Sequence, residues 1–406
     1  METPLINKRD FIIFGLQPWD ITIGSNCKNI ALEIAKHNRV LYVNRPLDRI
    51  SKFKDRKNLQ TKNRIQSVKY GKDILKEIDE NLWVFNPRKI MESVNFLPKG
   101  FLYGYLNKKN NKKLAEEILW ASSQLNYQNP ILLIDNDFFN GQYLKEFLQP
   151  SLFVYYIRDY LLSQKYFVKH GFIAEPGIIK KADAVAANSK YLSNYAAKYN
   201  SNAADIGQGC DVEDFLEPPA VLPADISNIK FPVIGYCGSL TATRLDIDII
   251  KFVAAQNADW NIVLVGPEDE AFSTSSLHQM KNVFFLGSKK TEELPAYIHA
   301  FDVCINPQLL NQMTIGNYPR KVDEYLAAGK PVVATKTEAM DMFGSQVYLC
   351  SSKEEYLKKI NEALQQAKNT EKMEQRVTMA KAHTWAASVK QLYKLIIKSI
   401  NKDEKK

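Results

Sequence analysis

The chain has 406 residues, 45% of them apolar and 24% charged, with a formal net charge of +9. That length exceeds one ordinary core and predicts two domains, and the composition is that of a globular protein rather than a disordered or fibrous one. No run of about 18 apolar residues occurs, so no membrane-spanning helix is expected, and the N-terminal METPLINKRDFIIFG reads as lacking a secretory signal.

In chain order, short apolar runs alternate with helical patterns, as in a parallel sheet covered by helices. The first half offers strands at 11–16, 40–43, 82–85, 131–135, 152–157 and 184–188. A helical pattern at 112–125 places Leu114, Ile118, Leu119 and Leu125 at helix spacing. Two basic stretches lie in this half. Residues 49–72 hold nine Lys or Arg against one acid, and 87–113 interleave Phe96, Leu97, Phe101, Leu102, Tyr103 and Tyr105 with cations. Such a surface suits anionic lipid headgroups or nucleic acid; a plain solvated basic face is the competing reading. Residues 214–232 are rich in proline, lack a period and read as a linker. Alternation then resumes, with strands at 233–238, 261–266, 283–287, 302–307, 331–335 and 346–350, followed by helical patterns. The fold class is therefore α/β, with two doubly wound Rossmann-like domains facing a cleft. Their expected bounds are 1–215 for the first domain, 216–232 for the linker, 233–380 for the second domain and 381–406 for a C-terminal helical segment. Ligands of such sheets bind beyond the carboxyl ends of the strands.

The stretch YPRKVDEYLAAGKPVVAT, 318–335, carries the most chemistry. Pro319 suits a helix start, Val322, Tyr325 and Leu326 would face the core, and Gly329 would end the helix in a left-handed cap. A helix start attracts phosphate, with Arg320 and Lys321 adding cations beside it. Glu324, off the core stripe, could accept hydrogen bonds from ribose hydroxyls. An ordinary surface helix with a solvated Glu is the competing reading.

Other candidates are weaker. Asp135 and Asp137 follow a strand as an acid pair that could hold a cation or cap a turn. Asp159, just past 152–157, could act as a base toward an acceptor hydroxyl, or serve as a cap or ion-pair partner. His170 follows in the same segment, and Asp20, Gly24 and Ser25 open the first helix. The five cysteines form no CxxC pair, which argues against a disulfide framework and a zinc site. No GxxxxGKS, HExxH or GxSxG occurs, and no motif of the known nucleic-acid modules supports that partner.

The segment EYLAAGKPVVAT, together with VFFLGSKKTEELPAYIHAFDVCINP, NIVLVGP, IGYCGSL, KADAVAANSKYL and GQGCDVEDF, resembles the GT-B glycosyltransferases of the glycogen-synthase-like group. NRVLYVNRP and VYYIRD look closest to bacterial enzymes that build teichuronic acid or capsule. The resemblance implies a hexosyltransferase moving a sugar from a nucleotide-diphosphate sugar, UDP or GDP, to a glycan or lipid-linked acceptor. It implies no metal or other cofactor, and work in the cytoplasm or peripherally at the inner membrane face. Gly238, Ser239, Arg244, Gly266, Pro319, Arg320, Lys321 and Glu324 would contact the donor; Asp20, Gly24 and Ser25 would lie on the acceptor side; Asp159 and His170 would be catalytic candidates. Two departures stand out. Ser239 occupies the place of a phosphate-binding Arg, and Gly316 that of a sugar-contacting Glu. A sugar-nucleotide 2-epimerase and a non-catalytic sugar-nucleotide binder of the same fold are the alternatives.

Overall fold

The computed structural model describes residues 6–21 and 24–403. The chain divides into two compact units, 1–207 with 385–406, and 208–384.

The first unit is built on an eight-stranded sheet of β1 (Asp10–Gly15), β2 (Arg39–Val43), β3 (Leu75–Asp79), β4 (Leu82–Phe85), β5 (Ile131–Asp135), β6 (Leu152–Ile157), β7 (Ala184–Ala187) and β8 (Ala203–Asp205). The spatial order is β3-β4-β2-β1-β5-β6-β7-β8, and only β3 runs antiparallel to its neighbour. β1, β5 and β6 are buried along their whole length, which is why they are near-continuous apolar runs. Alternate residues serve opposite faces. Ile12 and Phe14 join Leu114 and Ile118 of helix Phe101–Gln124 and Ile178 of helix Lys165–Lys181. Phe11 and Ile13 join Ile30 and Ile34 of helix Asn26–Ala35, and Leu392 and Ile396 of helix Trp385–Asp403.

The second unit holds a six-stranded, all-parallel sheet of β9 (Val233–Cys237), β10 (Asn261–Val265), β11 (Val283–Gly287), β12 (Val303–Asn306), β13 (Val332–Thr335) and β14 (Val347–Cys350), ordered β11-β10-β9-β12-β13-β14. The chain steps outward from β9 to β11, then restarts on the other side with β12. The order therefore reverses between β9 and β12, and in the first unit between β1 and β5, which marks the carboxyl ends of those strands as the ligand-binding crevices.

Every expected strand forms within one residue at each end; β3 and β8 are additional. The proline-rich 216–232 segment lies inside the second unit, where helix Ala224–Ser227 puts Ile226 into the core beside Phe215. The returning helix starts at Trp385, which is buried against the first unit. All five cysteines are buried and free.

One buried charge is costly. Glu175 is 0% exposed inside helix Lys165–Lys181, accepting hydrogen bonds from Tyr195 Oη at 3.0 Å and Tyr155 Oη at 3.4 Å. Burial outweighs those hydrogen bonds and lifts its carboxyl from 4.5 to about 7. The folded chain thus holds this proton more tightly than the unfolded chain. Its stabilising effect is complete below pH 4.5 and fades as pH rises through about 7. Glu175→Gln should leave stability nearly unchanged at pH 4.5 and raise it by up to about 3 kcal/mol at pH 8, at about 1.4 kcal/mol per pH unit. Urea unfolding at the two pH values checks this.

Candidate functional site

In the second unit, the loops leaving β9 and β12 are stitched into one edge. Asp246 N donates to Pro307 O at 2.9 Å, Leu309 N to Arg244 O at 2.8 Å and Asn311 Nδ2 to Thr243 O at 2.9 Å, with Leu245 bridging Gln308. Arg244 is exposed on this edge, and Gly316 lies on the β12 loop, which leads to Pro319. The turns after β9 and β10 are packed backbone to backbone. Gly238 (φ +145°) and Gly266 (φ +148°) sit where a side chain is strained, and a Cβ on Gly266 would fall 1.9 Å from Gly238 O. These glycines are required by the close approach of the two turns. Ser239 is exposed beside them, and the Thr241 hydroxyl, in the same loop, is buried without a hydrogen-bond partner.

Helix Arg320–Ala327 sits over this turn. Val322, Tyr325 and Leu326 are fully buried at helix spacing. The Tyr325 hydroxyl accepts from Cys237 N at 2.8 Å and donates to Cys237 O at 3.3 Å, pinning the helix to the last residue of β9. Gly329 (φ +69°) ends the helix with bonds from its own N to Leu326 O and from Lys330 N to Tyr325 O, which form a Schellman closure. At the start, Pro319 is the cap residue itself rather than the first helical residue, and it offers no side-chain cap.

The two cations at this start behave differently. Lys321 extends over the glycine turn: its Nζ lies 4.2 Å from the Tyr236 ring centroid, hydrogen-bonds the Tyr236 hydroxyl, and would be 2.6 Å from a Cβ on Gly238. Arg320 turns along the helix instead, with Nε 3.5 Å from Glu324 Oε1 and Nη2 3.8 Å from Asp211 Oδ2. Glu324 keeps 17% side-chain exposure. Burial holds its carboxyl above the usual range, against the opposing pull of Arg320 and Lys321. Lys321 and Glu324, three residues apart, share one helix face.

Sequence reasoning missed a buried cluster behind this face. Asp323 is 0% exposed and accepts from the Tyr318 hydroxyl at 2.7 Å, while His383 Nδ1 lies 2.7 Å from its other oxygen. Burial raises the Asp323 carboxyl, and the His383 contact opposes it. Asp323 follows the surface-facing Lys321 by only two positions, so the pattern gave no hint of an inward carboxylate.

In the first unit, Asp159 meets Arg158 at 2.6 Å, and Arg158 also binds the fully buried Asp135 at 2.9 Å. Asp137 turns away to Arg45 at 3.1 Å and caps Asn140 N at 3.0 Å, so the two acids of the IDND segment serve different partners. Among the described residues, no group of three His, Cys, Asp or Glu could hold a metal ion. His170 is buried, with its ring stacked 3.6 Å from that of Tyr103 and Nε2 3.1 Å from Leu97 O. Burial lowers its pKa, and its partners are packing ones rather than Asp159. Asp20 is bound by Arg64 at 2.7 Å and Asn63 at 2.9 Å. Burial raises its carboxyl, but those two partners outweigh it, leaving a net lowering. Ser25 caps helix Asn26–Ala35 through Lys28 N, and Gly24 is exposed; Thr22 and Ile23 of the same segment lie outside the described residues.

Residues 231–366, within the second unit, match the family model for Glycosyl transferases group 1. The chain is 30% identical over 169 residues to TuaH of Bacillus subtilis (strain 168), named as a teichuronic acid biosynthesis glycosyltransferase; the match spans 40% of this chain and 42% of TuaH. Among solved structures, Anabaena HepE in complex with UDP aligns at TM-score 0.63 and 16% identity, covering 96% of this chain and 100% of HepE. Sucrose-phosphate synthase from Thermosynechococcus elongatus aligns at TM-score 0.64 and 16% identity, covering 97% and 100%. The two parallel-sheet units are those of the GT-B fold.

The packed glycine turns give a stability test. Gly266→Ala should destabilise by about 2–4 kcal/mol, combining positive-φ strain with a backbone clash. Gly287→Ala (φ +69°, with nothing within 4 Å of its Cβ) should cost only about 1 kcal/mol. Denaturant titration of the two variants side by side checks the difference.

Proposed function

We propose that the protein is a glycosyltransferase that takes a nucleotide-diphosphate sugar, with UDP the first choice, and passes the sugar to a glycan or lipid-linked acceptor of a bacterial surface polysaccharide. The observation that carries this reading is the shared face of Lys321 and Glu324 at the strand-order reversal of the second sheet. Lys321 would meet the diphosphate over the Gly238 and Gly266 turns, where bare backbone lets a phosphate approach closely. Glu324 would accept from the ribose hydroxyls one turn deeper. Arg244, exposed on the adjoining loop, would supply a second cation and make up for Ser239. Chain cations and the helix start would stabilise the departing diphosphate, so that no bound metal is needed. The HepE complexes with UDP and with UDP-glucose support the choice of donor.

Arg320 takes a secondary role in this reading, because its guanidinium is already turned to Glu324 and Asp211. It would hold Glu324 until ribose replaces it. The first unit would hold the acceptor, and the basic, aromatic stretch from 87 to 113 would rest on an anionic membrane surface. Asp159, neutralised by Arg158, and His170, buried against Tyr103, are both held by structural partners, so no base is assigned.

The glycine at 316 and the serine at 239 favour one second reading, a sugar-nucleotide binder without turnover. Release of UDP from UDP-glucose, with or without acceptor, separates the two. Charge-assisted hydrogen bonds are worth about 1.5–3 kcal/mol, or about 10–100-fold in affinity. Glu324→Ala and Lys321→Met should each weaken UDP binding by that factor, and Arg320→Ala by less than about fivefold. Thermal-shift titration with UDP measures all three. Equal losses for Lys321→Met and Arg320→Ala would overturn the division of roles.

A further inference from the structure

Helix Arg320–Ala327 carries two adjacent carboxylates, and only Glu324 reaches the surface. Asp323 lies in the first turn of the helix and is fully buried. An acid in the first turn steadies the helix itself but repels an anion brought to the helix start. In the proposed donor site that anion is the diphosphate held by Lys321. A bare Asp323 charge would therefore work against the ligand. It also works against its neighbour: burial is the larger reason that the Glu324 carboxyl stands above its usual range, and the Asp323 charge adds to it.

One histidine controls that charge. His383 closes helix Thr370–Ala382 with its N–H on Ala380 O, and its carbonyl accepts from Cys210 N at 2.9 Å. Its ring packs against Phe343, with centroids 5.5 Å apart. Nδ1 lies 2.7 Å from Asp323 Oδ1, while the Tyr318 hydroxyl donates to Oδ2 at 2.7 Å. At the other end, Arg376 donates to Gly329 O at 3.1 Å, so helix Thr370–Ala382 grips helix Arg320–Ala327 at both of its termini.

At 2.7 Å a proton must lie between Nδ1 and Oδ1. The charge of the pair is then set by the second ring nitrogen. With Nε2 bare the pair carries one negative charge; with Nε2 protonated it is neutral. His383 keeps 15% side-chain exposure, which lets that proton exchange with solvent. Of the other groups acting on Asp323, the Tyr318 hydroxyl is a neutral donor and Arg320 is a fixed cation. Burial pushes the Cys210 thiol, beside Arg320, up and keeps it neutral. Lys321 and Asp211 act on Glu324, from opposite signs.

We infer that His383 is a positioning residue for the nucleotide-diphosphate sugar, acting through Asp323: by taking a proton on Nε2 it cancels the buried charge that opposes the diphosphate. This role rests on the proposed donor site and adds a proton to it. The neutral pair is the form that favours the ligand, so binding takes up a proton and affinity falls as pH rises. Ionisation of Glu324 would give the opposite slope, because ribose hydroxyls need its carboxylate.

The probe is UDP-glucose, whose two phosphates are both esterified and do not titrate near neutral pH. Calorimetry at about pH 6 and about pH 8 brackets the range in which histidine ordinarily changes charge. Affinity of the unaltered chain should fall about tenfold across that range, the effect of one unit charge about a helical turn away. Heats in buffers of different ionisation enthalpy should show proton uptake, a reading that needs no variant. Asp323→Asn removes the charge but can still accept from Tyr318 and donate to His383 Nδ1. It should bind at both pH values as the unaltered chain does at about pH 6. Glu175→Gln, in the first unit, should keep the full slope. A merely structural Asp323 predicts instead that Asp323→Asn loses affinity equally at both pH values. That result, a flat or rising profile in the unaltered chain, or no proton uptake overturns the inference and leaves the donor reading in place. No binding of UDP-glucose at either pH overturns both.

Discussion

The candidate site of the second unit depends on one hydroxyl. Tyr325 is fully buried and bonds both the N–H and the carbonyl of Cys237, the last residue of β9. A strand end normally leaves its final peptide groups to a loop or to water. Here a helix from 88 positions further along the chain satisfies them. That contact fixes the rotation of helix Arg320–Ala327 about its axis. With Tyr325 inward, Lys321 and Glu324 have only the outward side open, and Lys321 falls across the Gly238 turn. The buried Tyr318–Asp323–His383 cluster holds the same helix from behind. Two independent anchors on a helix of only eight residues make a stiff platform, which is what orientation of a bound diphosphate asks for.

Most of the fold was legible because the central strands are buried on both faces. Sequences such as FIIFG and LFVYYI cannot be exposed on either side, so their apolar runs stand out. β3 was hidden for the opposite reason: LKEID lies at the sheet edge, with four of its five residues exposed, and carries the polarity that edges require. β8 is three residues long. Helix Phe101–Gln124 starts eleven residues before its apolar pattern does. Its early inward positions are Asn107, Asn110 and Asn111, which bond Phe139 O, Glu92 O and Gln142. A helix face built from amides has no hydrophobic period to read. The 216–232 segment misled through its prolines, since a short helix and one buried Ile226 dock it firmly without any sustained pattern.

The candidate site was legible in part. Helix spacing alone placed Glu324 and Lys321 outward and Tyr325 inward. Spacing could not separate Arg320 from Lys321, because their difference is set by Asp211 and Tyr236, which are remote in sequence. Asp323 was invisible for a related reason. A carboxylate enters a core only with partners, and its partners Tyr318 and His383 gave no local signal. In the first unit, Arg158 was the missing piece. It draws the fully buried Asp135 and the partly exposed Asp159 into one ion-paired group, a partner that the sequence pattern did not single out.

The second unit leaves and rejoins the rest of the chain at neighbouring points, since Cys210 N hydrogen-bonds His383 O at 2.9 Å. A segment whose two ends are already clasped behaves as an insertion within its host. Residues 208–384 could therefore be excised as a self-contained cassette, or exchanged for the matching cassette of a relative, with little chain-closure entropy lost. The proposed nucleotide-binding half could then evolve as a replaceable part, grafted onto a host half that keeps its own surface.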